Sequence, residues 1–119
     1  MPPSRSSVVQ ARRFAALGDP TRLSVFTLIA HSPLSVAEVA ERLPVSRPAV
    51  SQHLKVLAAA GLVQCESIGT RNLYRPDPDG IATMRDSIDS LWDVGLARFK
   101  THAEALARSR SAHSPKEKP

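Results

Sequence analysis

Apolar positions recur at three- and four-residue spacing through most of this 119-residue chain and alternate with polar ones along one short stretch only. The first pattern predicts amphipathic helix and the second predicts strand. "VVQARRFAALG" reads as a first helix that Gly18 ends. Asp19 then precedes Pro20 as an N-cap before a proline at the first helical position, where a missing N–H costs nothing, and "PTRLSVFTLIA" follows as the second helix. In "LSVAEVAERL", Ser35 and Glu38 have capping-box spacing, and Leu34 and Val39 are placed to close a hydrophobic staple around them. Pro44 ends this third helix. Only Pro44 and Val45 separate it from Ser46, the N-cap of a fourth helix that Gly61 terminates.

Two strand-like runs in "LVQCESIGTRNLYRP" flank Gly69 and Thr70, which predicts a β-hairpin with "IGTR" at its tip. Asp77 to Gly80 then makes a turn and cap before a long last helix, along which Met84, Ile88, Leu91, Trp92, Leu96 and Phe99 recur at helical spacing. The expected fold is mainly α with a small β-hairpin, in the order α-α-α-α-β-β-α. Residues 1–7 and 109–119 are rich in Pro, Ser and charge without apolar periodicity, so both are expected to be disordered tails around one domain at 8–108.

Composition narrows the class. An apolar content of 42% suits a globular domain with a real core, and no run of apolar residues is long enough to span a membrane, so a cytoplasmic location is expected. Cys65 is the only cysteine, which excludes an intrachain disulfide or a multi-thiolate metal site. It is expected to be a small buried hydrophobe within a strand, with a redox sensor in a thiol-responsive regulator as the alternative. Net charge is +5, which favours a polyanionic partner. That charge is unevenly spread: residues 46–75 carry Arg47, Lys55, Arg71 and Arg75 against Glu66, whereas residues 76–95 carry five aspartates against Arg85. The two segments are expected to face different surroundings.

Projected around the fourth helix, Arg47, Pro48, Ser51, Gln52 and Lys55 share one arc, and Ala49, Val50, Leu54, Val56 and Leu57 share the other. The polar arc has no carboxylate. Its chemistry suits double-stranded DNA: Gln52 matches adenine edges, Arg47 and Lys55 reach guanine or phosphate, Ser51 bonds either, and Pro48 offers apolar contact to a thymine methyl. The alternative is an ordinary hydrated face with incidental basicity, as in a protein-interaction module. His53 falls on the apolar side and is expected to be a partly buried, hydrogen-bonded histidine. Thr70 and Arg71 at the hairpin tip, with Arg75 on its second strand, are placed to meet a duplex backbone beside the helix.

The segments "FAALGDPTRLSVFTLI", "LSVAEVAERLPVSRPAVSQHLKVLAAAGLV" and "IGTRNLYRPDPDGI" resemble the ArsR/SmtB family of winged helix-turn-helix repressors across roughly Phe14 to Phe99. The helix carrying Trp92 resembles the family's metal-independent branch. The resemblance implies that Ser46–Ala60 is a recognition helix, that Leu62–Pro76 is the wing, and that the first and last helices form a homodimer interface with Phe14, Leu17, Met84, Ile88, Leu91, Trp92, Leu96 and Phe99 in it. Pro44 departs from the pattern, standing where such turns often have a glycine.

No cofactor and no metal site is expected. The family's metal sensors often place cysteines at the start of the recognition region, and this chain has none there. A second family site spans the final helices, where Asp89 and His102 keep the spacing but Leu91 and Ala105 fill the other two positions, leaving fewer ligands than zinc usually takes. Asp77-Pro78-Asp79-Gly80 echoes a calcium loop, but turn chemistry suffices to explain it. No nucleophile, base or phosphate-binding glycine loop forms a catalytic set, so the chain is not expected to be an enzyme.

Overall fold

The computed structural model describes Pro2 and residues 4–113. Its elements follow the expected order: α1 (Arg5–Leu17), α2 (Pro20–His31), α3 (Val36–Arg42), α4 (Arg47–Ala59), β1 (Val63–Ile68), β2 (Arg71–Pro76) and α5 (Pro78–His113).

Helix extends into both of the expected tails. The Ser4 side chain accepts a hydrogen bond from the Ser7 N–H at 3.0 Å and starts α1 at Arg5, so residues 5–7 are helical. At the other end α5 continues to His113, through alanine, leucine and arginine with no helix breaker between Gly95 and Pro115. Met1, Pro3 and residues 114–119 lie outside the described residues.

Local chemistry sets the helix starts. The Asp19 carboxylate accepts from the Arg22 N–H at 2.8 Å, with Pro20 in the first turn. In the capping box of α3, the Ser35 hydroxyl accepts from the Glu38 N–H at 3.2 Å and Glu38 Oε1 accepts from the Ser35 N–H at 2.9 Å. The turn from α3 to α4 is closed by the Val45 N–H donating to the Leu43 carbonyl at 2.7 Å. Pro44 is the middle residue of this three-residue turn, where the inverse γ form calls for the negative φ that proline already has.

The chain divides after Met84 into two units. In the first, Val25, Ile29, Val39, Val50, Leu54, Leu57 and Leu62 are fully buried. Val50, Leu54 and Leu57 form one stripe along α4 and hold it against α2 and α3. The hairpin pairs antiparallel from Val63↔Pro76 to Ile68↔Arg71. Gly69, with φ +64°, provides the left-handed first position of its two-residue loop. At its base, Leu34 and Tyr74 exchange backbone hydrogen bonds of 3.2 and 2.8 Å, adding a bridge that ties the hairpin to the start of α3.

Three side chains differ from expectation. Cys65 is exposed, because the hairpin leaves the core after Val63 and its outer part is solvated on both faces. Met84, expected at a protomer interface, is only 8% exposed within the single chain. The first turn of α5 seats on the end of α4 closely enough to make Met84 part of this unit's own core. His53 is half-buried as expected, yet its Nδ1 is buried without a hydrogen-bond partner among the described residues.

The second unit is the remainder of α5. It exposes Leu91 (68%), Trp92 (66%), Phe99 (69%), Ile88 and Leu96. No helix among the described residues is long and apolar enough to cross a membrane.

Candidate nucleic-acid interface

The inner stripe of α4 decides what its outer side presents. With Val50, Leu54 and Leu57 directed into the core, Arg47, Pro48, Gln52 and Lys55 are exposed, while Ser51 is half-buried at the margin of the arc. The Ser46 hydroxyl accepts from the Ala49 N–H at 3.3 Å, and Pro48 lies in the first turn. Cap and proline together start the helix where its first residues meet solvent.

Arg47, Thr70 and Arg71 line one cleft of about 360 Å³, together with Ser35, Val36, Ala37, Asn72 and Tyr74. The hairpin tip and the start of α4 therefore present two guanidinium groups to the same space, although 24 positions separate them in sequence. Arg75 does not line this cleft; it lies four residues further along β2, toward the base of the hairpin. Gln52 and Lys55 lie further along α4, outside the cleft.

Both hairpin arginines have acidic partners that the sequence did not reveal. Arg71 Nη2 donates to Glu38 Oε1 at 2.5 Å, and Arg75 Nη1 lies 3.2 Å from Glu66 Oε1. The Glu66–Arg75 pair runs diagonally across one face of the hairpin, with both side chains about half exposed. Glu38 differs because its oxygen is already fixed by the Ser35 N–H. That backbone hydrogen bond holds the Glu38 carboxyl below the usual glutamate range against an opposing cost of burial, and the Ser35 hydroxyl and Arg71 each lower it further by lesser amounts. Burial pushes the Tyr74 phenol up, with a further contribution from Cys65 directly across the ladder. Glu38 was legible only as a capping residue; its second role depends on a hairpin that returns 33 residues later.

Of the residues expected at a dimer interface, Ile88, Leu91, Trp92, Leu96 and Phe99 are exposed on α5 and Phe14 is exposed on α1. Leu17 is partly buried and packs against the core.

A model of a helix-turn-helix domain matches residues 17–66. The HTH-type transcriptional regulator Rv2034 of Mycobacterium tuberculosis is 49% identical over 88 residues, which is 74% of this chain and 82% of that protein. Among solved structures, an ArsR-like transcriptional regulator from Rhodococcus sp. RHA1 matches with a TM-score of 0.69 and 36% identity, over 84% of this chain and 97% of its own. A homodimeric winged helix-turn-helix DNA-binding domain from Mycobacterium bovis matches with a TM-score of 0.61 and 25% identity, over 78% and 89%. These relatives are transcriptional regulators, a non-enzymatic class. With α3 and α4 as its helix-turn-helix and the β1–β2 hairpin as its wing, this chain belongs to the ArsR/SmtB family of winged helix-turn-helix transcriptional regulators.

Proposed function

We propose that this protein is a cytoplasmic, homodimeric repressor that recognises a pseudo-palindromic operator, lays α4 of each protomer in successive major grooves and needs no metal effector. The observation that carries this reading is the exposed arc of α4, which holds Arg47, Pro48, Gln52 and Lys55 without a carboxylate, next to a cleft that Arg47 and Arg71 line together. Gln52 and Ser51 supply base contacts, Pro48 meets a thymine methyl, and Arg47, Lys55, Thr70, Arg71 and Arg75 engage the backbone. Dimerisation uses the apolar face of α5 with Phe14 and Leu17 of α1. It is supported by the homodimeric state of the M. bovis domain and by the exposure of Ile88, Leu91, Trp92, Leu96 and Phe99 on α5.

The donor set supports metal independence. Leu91 and Ala105 leave Asp89 and His102 without further ligands, and no three potential ligands of one chain converge among the described residues. Selection of bound fragments from genomic DNA tests the reading, since it yields the operator, its symmetry and its half-site spacing together. Gln52→Ala is expected to relax sequence preference on the recovered operator. If the variant discriminates operator from competitor as well as the parent does, Gln52 is not a base-reading residue.

A thiol-responsive regulator is the second reading, favoured by the exposure of Cys65 on the wing. Loss of operator binding in mild peroxide, abolished by Cys65→Ser, would establish it.

A further inference from the structure

We propose that the Glu38 carboxylate occupies, in the free protein, the place of a DNA phosphate at Arg71, and so acts as a positioning residue that limits how strongly the wing binds any duplex. The inference rests on the reading that Arg71 meets the DNA backbone. Three observations carry it. Arg71 Nη2 donates to Glu38 Oε1, and this pair joins the wing tip to α3 across 33 residues. The same oxygen accepts the Ser35 N–H at 2.9 Å, so the acid is fixed by its own helix start and is not a freely rotating surface partner. Arg71 also lines the cleft that holds Arg47, which puts the neutralised guanidinium at the junction of wing and α4.

A carboxylate and a phosphodiester present the same kind of acceptor to a guanidinium fork, so the two compete for it. Binding to DNA then exchanges one anion for another at Arg71. The attraction gained is smaller than a free arginine would give, and the net charge that displaces counterions is lower by one. Every duplex feels this equally, because phosphate contacts carry no sequence information. Discrimination is left to the exposed arc of α4. Glu66 holds Arg75 with no such fixed oxygen and is the weaker restraint.

Glu38→Gln removes the charge while keeping the capping box, since glutamine is equally suited to that position. The full-length protein and three variants, Glu38→Gln, Arg71→Ala and the double substitution, are titrated with a random-sequence duplex at several salt concentrations. Glu38→Gln should tighten binding by about threefold to tenfold and steepen the salt slope by nearly one unit. The same change in the Arg71→Ala background should alter affinity by less than about twofold. An equal gain in both backgrounds would mean that Glu38 merely repels DNA at a distance, and it overturns the exchange. Unaltered or weaker binding by Glu38→Gln, with its unfolding midpoint unchanged, overturns it as well. If Arg71→Ala alone binds like the parent, the wing does not meet phosphate there, and both the exchange and the reading beneath it fail.

Discussion

The carbonyl oxygen of Gly61 lies 1.7 Å from the position a β-carbon on residue 80 would occupy. Gly80 is helical, in the first turn of α5, so its lack of a side chain answers close approach and not backbone conformation. Gly61 answers backbone conformation instead: its φ is +77°, and the nearest atom to its own β-carbon position is the end of the Arg13 side chain at 3.0 Å. Gly80→Ala cannot be accommodated by a side-chain shift, because the obstacle is backbone. Unfolding in urea should show a loss of about 3 kcal/mol, at the upper end for overpacking. A midpoint within error of the parent would mean that α5 does not seat on Gly61 as described.

The Glu38 carboxyl sits below the ordinary glutamate value of 4.5, chiefly through the Ser35 N–H. A depressed acid contributes stability that is present above its unfolded pKa and lost as pH falls through the lower folded value. The wing contact is therefore intact throughout the neutral range and opens only in acid. Carbon-detected NMR titration of Glu38 should give a midpoint under 4.5, still depressed in Arg71→Ala because the backbone hydrogen bond survives. A midpoint at or above 4.5 in the parent contradicts the geometry.

Leu91 is 68% exposed on α5, in line with Trp92 and Phe99. An aspartate placed in a buried protomer contact brings a charge that nothing pairs, whereas the same change on a solvated helix is nearly neutral. Leu91→Asp should turn a dimer into a monomer in sedimentation at micromolar concentration and abolish binding to paired half-sites. A parent that sediments as a monomer removes the basis for this expectation.

Zinc should leave DNA release untouched. A ligand shifts an equilibrium only by its difference in affinity for the two states, and Asp89 with His102 offers little to build such a difference on. Operator affinity should change by less than about threefold, under ~0.7 kcal/mol, on adding zinc or a chelator. A tenfold loss with stoichiometric zinc that His102→Ala prevents would assign the protein to the metal-sensing part of its family.

What was legible in the sequence was what neighbouring residues decide among themselves. Asp19, Ser35 with Glu38, and Ser46 each cap a helix through bonds spanning three positions, and the structure has all of them. The start of α1 was missed because Ser4 caps it ahead of a polar turn with no apolar period to read. Cys65 and Met84 were misplaced for a different reason. Burial on a strand or a long helix depends on where that element leaves the core, and the chain leaves it after Val63 on β1 and after Met84 on α5. The partners of Arg71 and Arg75 were equally hidden: one is set by the distant return of the hairpin, the other by its register.

The Leu34–Tyr74 bridge gives the wing the mechanics of a cantilever. Clamped at Tyr74 by two backbone hydrogen bonds, the hairpin projects three register pairs further to Ile68 and Arg71, and the Arg71–Glu38 strut is a second support near the free end. A beam held at two points resists bending about its root far better than one held at its base alone. Under the proposed exchange, release of Arg71 from Glu38 leaves the tip free to bend toward the duplex, while the root continues to fix where the hairpin starts relative to α3.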